Sequence, residues 1–96
     1  MNLDELLKDK REIIKEIARE HGVSKIYVFG SFAKGTADEK SDLDFLVDVS
    51  NNVSSWFPAG LIMDLENLLK IKVDVATLKG LKERIRDRVL QEAKPL

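Results

Sequence analysis

The chain has 96 residues, 44 % apolar and 34 % charged, with a net charge of −1 at pH 7. That length suits one domain, residues 1–96, and the balanced charge excludes a disordered or nucleic-acid-coating chain. With no cysteine and one histidine, the sequence excludes disulfides, zinc–thiolate centres, thiol nucleophiles and histidine metal cages. No apolar run approaches the ~18 residues of a membrane span, so no membrane partner is expected. The opening MNLDELLKDKRE is charged where a signal peptide needs an apolar centre, which makes the cytoplasm the expected compartment.

Leu3, Leu6, Leu7, Ile13, Ile14, Ile17 and Ala18 recur at helical steps before Gly22, predicting a single amphipathic helix. Lys25 to Phe29 is β-branched and aromatic and predicts a buried strand that runs into a turn at Gly30. Leu43, Phe45 and Val47 alternate with Asp42, Asp44, Leu46 and Asp48, the pattern of a second strand. Residues 51–55 read as a loop, and Pro58 fits the first turn of a helix bearing Leu61, Ile62, Leu65, Leu68 and Leu69. Ile71 to Ala76 predicts a third strand. A closing helix follows, with Leu81, Ile85, Val89 and Ala93 as its buried stripe, ending before Pro95. The order defines an α/β (α+β) domain, a small mixed three-stranded sheet flanked by helices.

The chemistry concentrates in FGSFAKGTADEKSDLDF, residues 29–45. Gly30 and Gly35 have the separation of a P-loop, but Thr36 stands where the phosphate-reaching lysine belongs. A glycine and a serine remain directly after a strand. Such a turn lets the backbone approach a polyphosphate, and it also serves as a plain turn. Asp42 and Asp44, two positions apart in a strand, leave the same face with Cα atoms ~6.7 Å apart. Their mutual repulsion is relieved by a hard cation such as Mg²⁺ or by exposure to solvent. Asp74 lies between valines in the third strand; if that strand neighbours the second, three carboxylates meet. Asp48 is ~13 Å beyond Asp44 and reads as a surface residue, as do Asp64 and Glu66 on their helix.

Gly30-Ser31, ten intervening residues, Asp42-Leu43-Asp44 and a later strand aspartate, Asp74, resemble the nucleotidyltransferases of the DNA polymerase β type. The chain looks most like their minimal members, the MNT (MntA-type) proteins, many of which are antitoxins encoded beside HEPN toxins. The resemblance, from about Lys25 to the C-terminus, implies the minimal nucleotidyltransferase fold and Mg²⁺-dependent transfer from ATP. Gly30 and Ser31 would bind the β/γ-phosphates, and Asp42, Asp44 and Asp74 would be the catalytic ligands of two Mg²⁺ ions. Lys34 would add a positive charge near the triphosphate or be a surface lysine.

The resemblance further implies an adenylyltransferase antitoxin that AMPylates a tyrosine of a HEPN toxin, in a possible hetero-oligomer. Two other readings stand beside it. One is a non-catalytic antitoxin acting by occlusion, for which Trp56 and Phe57 would be an exposed anchor unless they pack beneath their loop. The other is a stand-alone transferase for a small hydroxylated molecule. Lys82, Arg84, Arg86 and Arg88 are interleaved with Glu83 and Asp87, so a solvated helix face is expected there and no direct nucleic-acid contact. His21 is expected at a helix C-terminus, without a catalytic role, and Tyr27 in the core.

Overall fold

A computed structural model of the chain describes residues 2–50, 53 and 56–96. Most of the expected loop at 51–55 lies outside the described residues. The elements are α1 (Leu3–Leu7), α2 (Arg11–Glu20), β1 (Val23–Phe29), α3 (Ser31–Lys34), β2 (Leu43–Val49), α4 (Ala59–Leu69), β3 (Val73–Thr77), α5 (Glu83–Glu92) and β4 (Lys94–Pro95).

The four-stranded sheet has the order β3-β2-β1-β4. β1 and β2 pair antiparallel, whereas β2 and β3 are parallel and need the crossover that α4 provides. Alternation on β2 divides the two faces. Leu43, Phe45 and Val47 are fully buried, in one core with Ile14 and Ala18 of α2 and Leu61, Leu65 and Leu69 of α4. Asp44, Leu46 and Asp48 project from the opposite face. Leu46 is also fully buried, so the centre of β2 is covered on both sides.

The first helix is two helices, not one. α1 is capped by Asn2, whose Oδ1 accepts from the Glu5 N–H at 2.8 Å. It stops at Leu7, and the chain turns through Asp9 at φ 62 before α2 begins. Residues 8–12 contain no apolar side chain that could hold a continuous helix against the core. Leu3 and Leu7 reach the core from α1, Ile14 and Ala18 from α2.

The last helix is also corrected. α5 has no buried residue, and Ile85 is exposed; the other members of the expected stripe, Leu81, Val89 and Ala93, are only half-buried. Lys82, Arg84 and Arg88 are exposed, as expected of a solvated face. The three-stranded expectation gains β4, which pairs Pro95 with Tyr27 and Lys94 with Val28. Proline, which has no N–H to give to a further strand, is tolerated in such an outermost strand. Tyr27, expected in the core, is only half-buried. Trp56 and Phe57 separate: Trp56 is 77 % exposed, and Phe57 packs on the core.

Two carboxylates assigned to a solvated face have partners. His21, the C-cap of α2, donates Nε2–H to Asp64 Oδ2 at 2.8 Å and ties α2 to α4. Glu66 Oε2 accepts the Val73 N–H at 2.9 Å and fixes the start of β3. Removing that acceptor leaves the N–H of a buried residue unpaired, at a cost of about 1–2 kcal/mol. Glu66→Ala is therefore expected to lower Tm by about 5–10 °C in a thermal melt.

Candidate active site

β1 ends at Phe29, and the chain enters α3 through Gly30 at φ 75, ψ −151, a backbone region open almost only to glycine. Phe32 and Ala33 are buried and pin the short helix to the core, and Gly35 closes it in the left-handed conformation, φ 77. The turn is thus held at both ends. In the sheet register, Phe29 lies opposite Asp44, which brings the turn against that carboxylate. A Cβ at Gly30 would collide with Asp44 Oδ2 and lie 3.3 Å from its Cγ. The glycine and the aspartate, fourteen positions apart in sequence, share one space.

Asp44 and Asp74 are register partners across β2 and β3, which puts their backbones ~4.8 Å apart. Asp42 stands immediately before β2 and is exposed. Burial raises the pKa of Asp44 above its ordinary value of 3.8, and repulsion from Asp74 and then Asp42 raises it further. Asp44 lies within the field of both other carboxylates. Asp74 Oδ1 accepts from the Val75 N–H at 3.0 Å, which draws that carboxylate toward its own strand. As the side chains stand, no three acidic or imidazole groups among the described residues converge tightly enough to hold an ion. The donor set nonetheless suits a hard divalent cation: carboxylate oxygens from two adjacent strands, and an Asp44 whose charge a cation would favour.

The fold therefore brings together Gly30, Ser31, Asp42, Asp44 and Asp74. Lys34 lies at the far end of α3, where its Nζ is 3.7 Å from Glu92 Oε2 of α5. Asp48 sits opposite Lys25, remote from the aspartate cluster. Glu66 was missed as a support of the site because a carboxylate flanked by apolar helix positions gives no sequence sign of the backbone N–H it will meet.

The family model for the nucleotidyltransferase domain matches residues 10–96, and the chain belongs to that family of nucleotidyl-transferring enzymes. Its likeness is to the minimal, MntA-type members. A Methanocaldococcus jannaschii protein to which protein adenylyltransferase activity is ascribed is 38 % identical over 97 % of this chain and 96 % of its own length. Protein adenylyltransferase MntA of Thermococcus cleftensis is 41 % identical over 81 % of this chain and 79 % of its own. A solved structure assigned as a minimal nucleotidyltransferase superposes with TM-score 0.88 at 42 % identity, covering 100 % of this chain and 97 % of the other. The fold alone is shared with a complex of tri-AMPylated Shewanella oneidensis HEPN toxin and MNT antitoxin, at TM-score 0.67 and 21 % identity over 97 % of this chain and 71 % of the other. Among the described residues, no helix is long and apolar enough to cross a membrane.

Proposed function

We propose that the chain transfers AMP from ATP to a tyrosine of a HEPN-type toxin and thereby neutralises it. The observation that carries this reading is the contact of the Gly30 turn with Asp44, opposite Asp74: a phosphate-binding turn and an acidic cluster in one place. The first turn of α3 has backbone N–H groups without helical acceptors, and with the Ser31 hydroxyl they would grip the β/γ-phosphates. Asp42, Asp44 and Asp74 would hold two Mg²⁺ ions, which when bound neutralise phosphate charge and acidify the acceptor hydroxyl. Asp44, between the turn and β3, would be the central ligand of that set. The tyrosine oxygen forms a bond to the α-phosphorus, the bond to pyrophosphate breaks, and the phenolic proton is lost. The relatives ascribed protein adenylyltransferase activity support a protein acceptor, and the HEPN complex that shares the fold supports the kind of protein.

The test is incubation of the purified chain with α-labelled ATP, Mg²⁺ and a purified HEPN-type toxin. Label on the toxin, lost when its tyrosine is changed to phenylalanine, is the expected result. An unlabelled toxin defeats the reading, and label on a small hydroxylated molecule without the toxin points to a stand-alone transferase. The exposure of Trp56 favours one second reading, a non-catalytic antitoxin that occludes its partner. Asp42→Asn separates the two: neutralisation is lost if transfer is required and persists if occlusion suffices.

Binding of Mg²⁺ is measurable without turnover. At ten times its Kd the ion is expected to stabilise the protein by roughly 1.5 kcal/mol, raising Tm by about 5–10 °C. EDTA reverses the shift, and Asp44→Asn abolishes it.

A further inference from the structure

Between α3 and β2 the chain runs from Gly35 to Asp42 without helix or strand. Backbone bonds anchor both ends of this passage: the Thr36 N–H donates to the Ser31 carbonyl at 3.0 Å, and the Leu43 N–H to the Lys72 carbonyl at 2.9 Å. Between the anchors Ala37 packs on the core, Ser41 is half-buried, and Asp38, Glu39, Lys40 and Asp42 are exposed. Asp42 is thus the member of the aspartate trio that stands outside a strand. Asp44 and Asp74 are fixed by the pairing of β2 with β3. Asp42 takes its place from the turn that precedes it.

That turn is closed by one pair of side chains. The Asp38 N–H donates to Ser41 Oγ at 2.9 Å, and the Ser41 hydroxyl donates back to Asp38 Oδ1 at 3.2 Å. The same Oδ1 accepts the Lys40 N–H at 2.9 Å, and the Ser41 N–H donates to the Asp38 carbonyl at 3.1 Å. Among the described residues, no other hydrogen bond reaches 37–41. An exposed hydrogen bond competes with water and adds little to stability, so the effect of this clasp falls on conformation: it restricts the turn to one shape. Ser41 is covalently joined to Asp42, and that shape sets the direction from which the chain delivers the Asp42 carboxylate.

We propose that Asp38 and Ser41 are positioning residues for Asp42, holding it where a divalent cation shared with Asp44 would meet it. The inference rests on the reading of Asp42 as a metal ligand. In this role neither Asp38 nor Ser41 touches the ion or the nucleotide; each acts through the path of the backbone. An amide oxygen at position 38 can accept the same two bonds as the carboxylate, so the clasp needs the acceptor and not the charge. A ligand of a hard cation needs the charge.

The probe is Mn²⁺ in place of Mg²⁺, titrated into the full chain without ATP and followed by the EPR signal of the free ion. Asp38→Ala and Ser41→Ala are expected to raise the Kd about tenfold, the scale on which supporting groups act on a metal site. Asp38→Asn and Ser41→Thr keep the clasp and should bind within about twofold of the wild type. Metal-free thermal transitions of all four variants should stay within about 5 °C of the wild type, because no core side chain is changed. Asp42→Asn weakens binding by itself, and adding Asp38→Ala to it should cost little more, since no carboxylate is left to place. An Asp38→Asn variant as weak as Asp38→Ala would make residue 38 a ligand through its charge and overturn the proposal. So would wild-type affinity in both alanine variants, or losses that simply add to that of Asp42→Asn. Those results leave the reading of Asp42 intact. Wild-type affinity in Asp42→Asn, or no binding by the wild type, removes Asp42 from the metal set, and the proposal falls with it.

Discussion

Asp44→Asn is expected to lower AMP transfer at least ~10³-fold while making the metal-free protein more stable at neutral pH. The loss of rate follows from removing the central carboxylate of the trio, the one that touches the Gly30 turn and faces Asp74; electrostatic groups placed at reacting phosphates contribute on that scale. The gain in stability follows from the sign of the shift. Burial, then Asp74, then Asp42 raise the pKa of Asp44 in the folded protein above its ordinary 3.8, so folding disfavours the ionised form. The stability linked to this proton is fully present below pH 3.8 and is lost as pH rises through the folded value. At pH 7 the wild type carries the whole penalty and asparagine carries none. Melts from pH 3 to 8 in EDTA should show the variant melting higher at neutral pH, with the gap closing in acid. A variant that melts lower at pH 7 would contradict the arrangement of charges described for the site.

Gly30→Ala is the second large effect, and it strikes fold and chemistry together. The backbone at φ 75, ψ −151 costs an alanine about 1–3 kcal/mol. Its methyl would also collide with the Asp44 carboxylate. Relief requires either moving the turn or turning Asp44 away, and each displaces a group on which transfer depends. A fall in Tm of about 10 °C is expected, with transfer reduced more than 100-fold at temperatures where the variant stays folded. The double variant Gly30→Ala/Asp44→Gly regains part of the stability, because the clashing side chain is gone, and none of the activity. If Gly30→Ala melts like the wild type, the turn does not lie against Asp44.

Much of this was readable before any coordinates. Ile26 and Val28, and the alternating Leu43, Phe45 and Val47, bury side chains at strand spacing, and that spacing alone fixes Asp44 on the face opposite the core. The meeting of Asp44 with Asp74 needed one further step: a helix between two short strands makes them parallel neighbours. The pairing Asp44↔Asp74 is its outcome. What the sequence hid has physical causes. The split between α1 and α2 depends on a turn at Asp9, which carries no glycine or proline to mark it. α5 has a regular apolar spacing, yet nothing in a periodic pattern reveals that its apolar side will be left only half-buried. The roles of Glu66 and Asp64 hinge on a strand N–H and a histidine that only tertiary folding delivers to α4.

β3 is the outermost strand on its side of the sheet, and Asp74 on it is exposed. If the acceptor is a folded protein, as proposed, this rim is where it would lay a side chain against the aspartates. Adding bulk to that rim, as with Lys72→Trp beside it, should then slow transfer to a protein more than it weakens ATP binding.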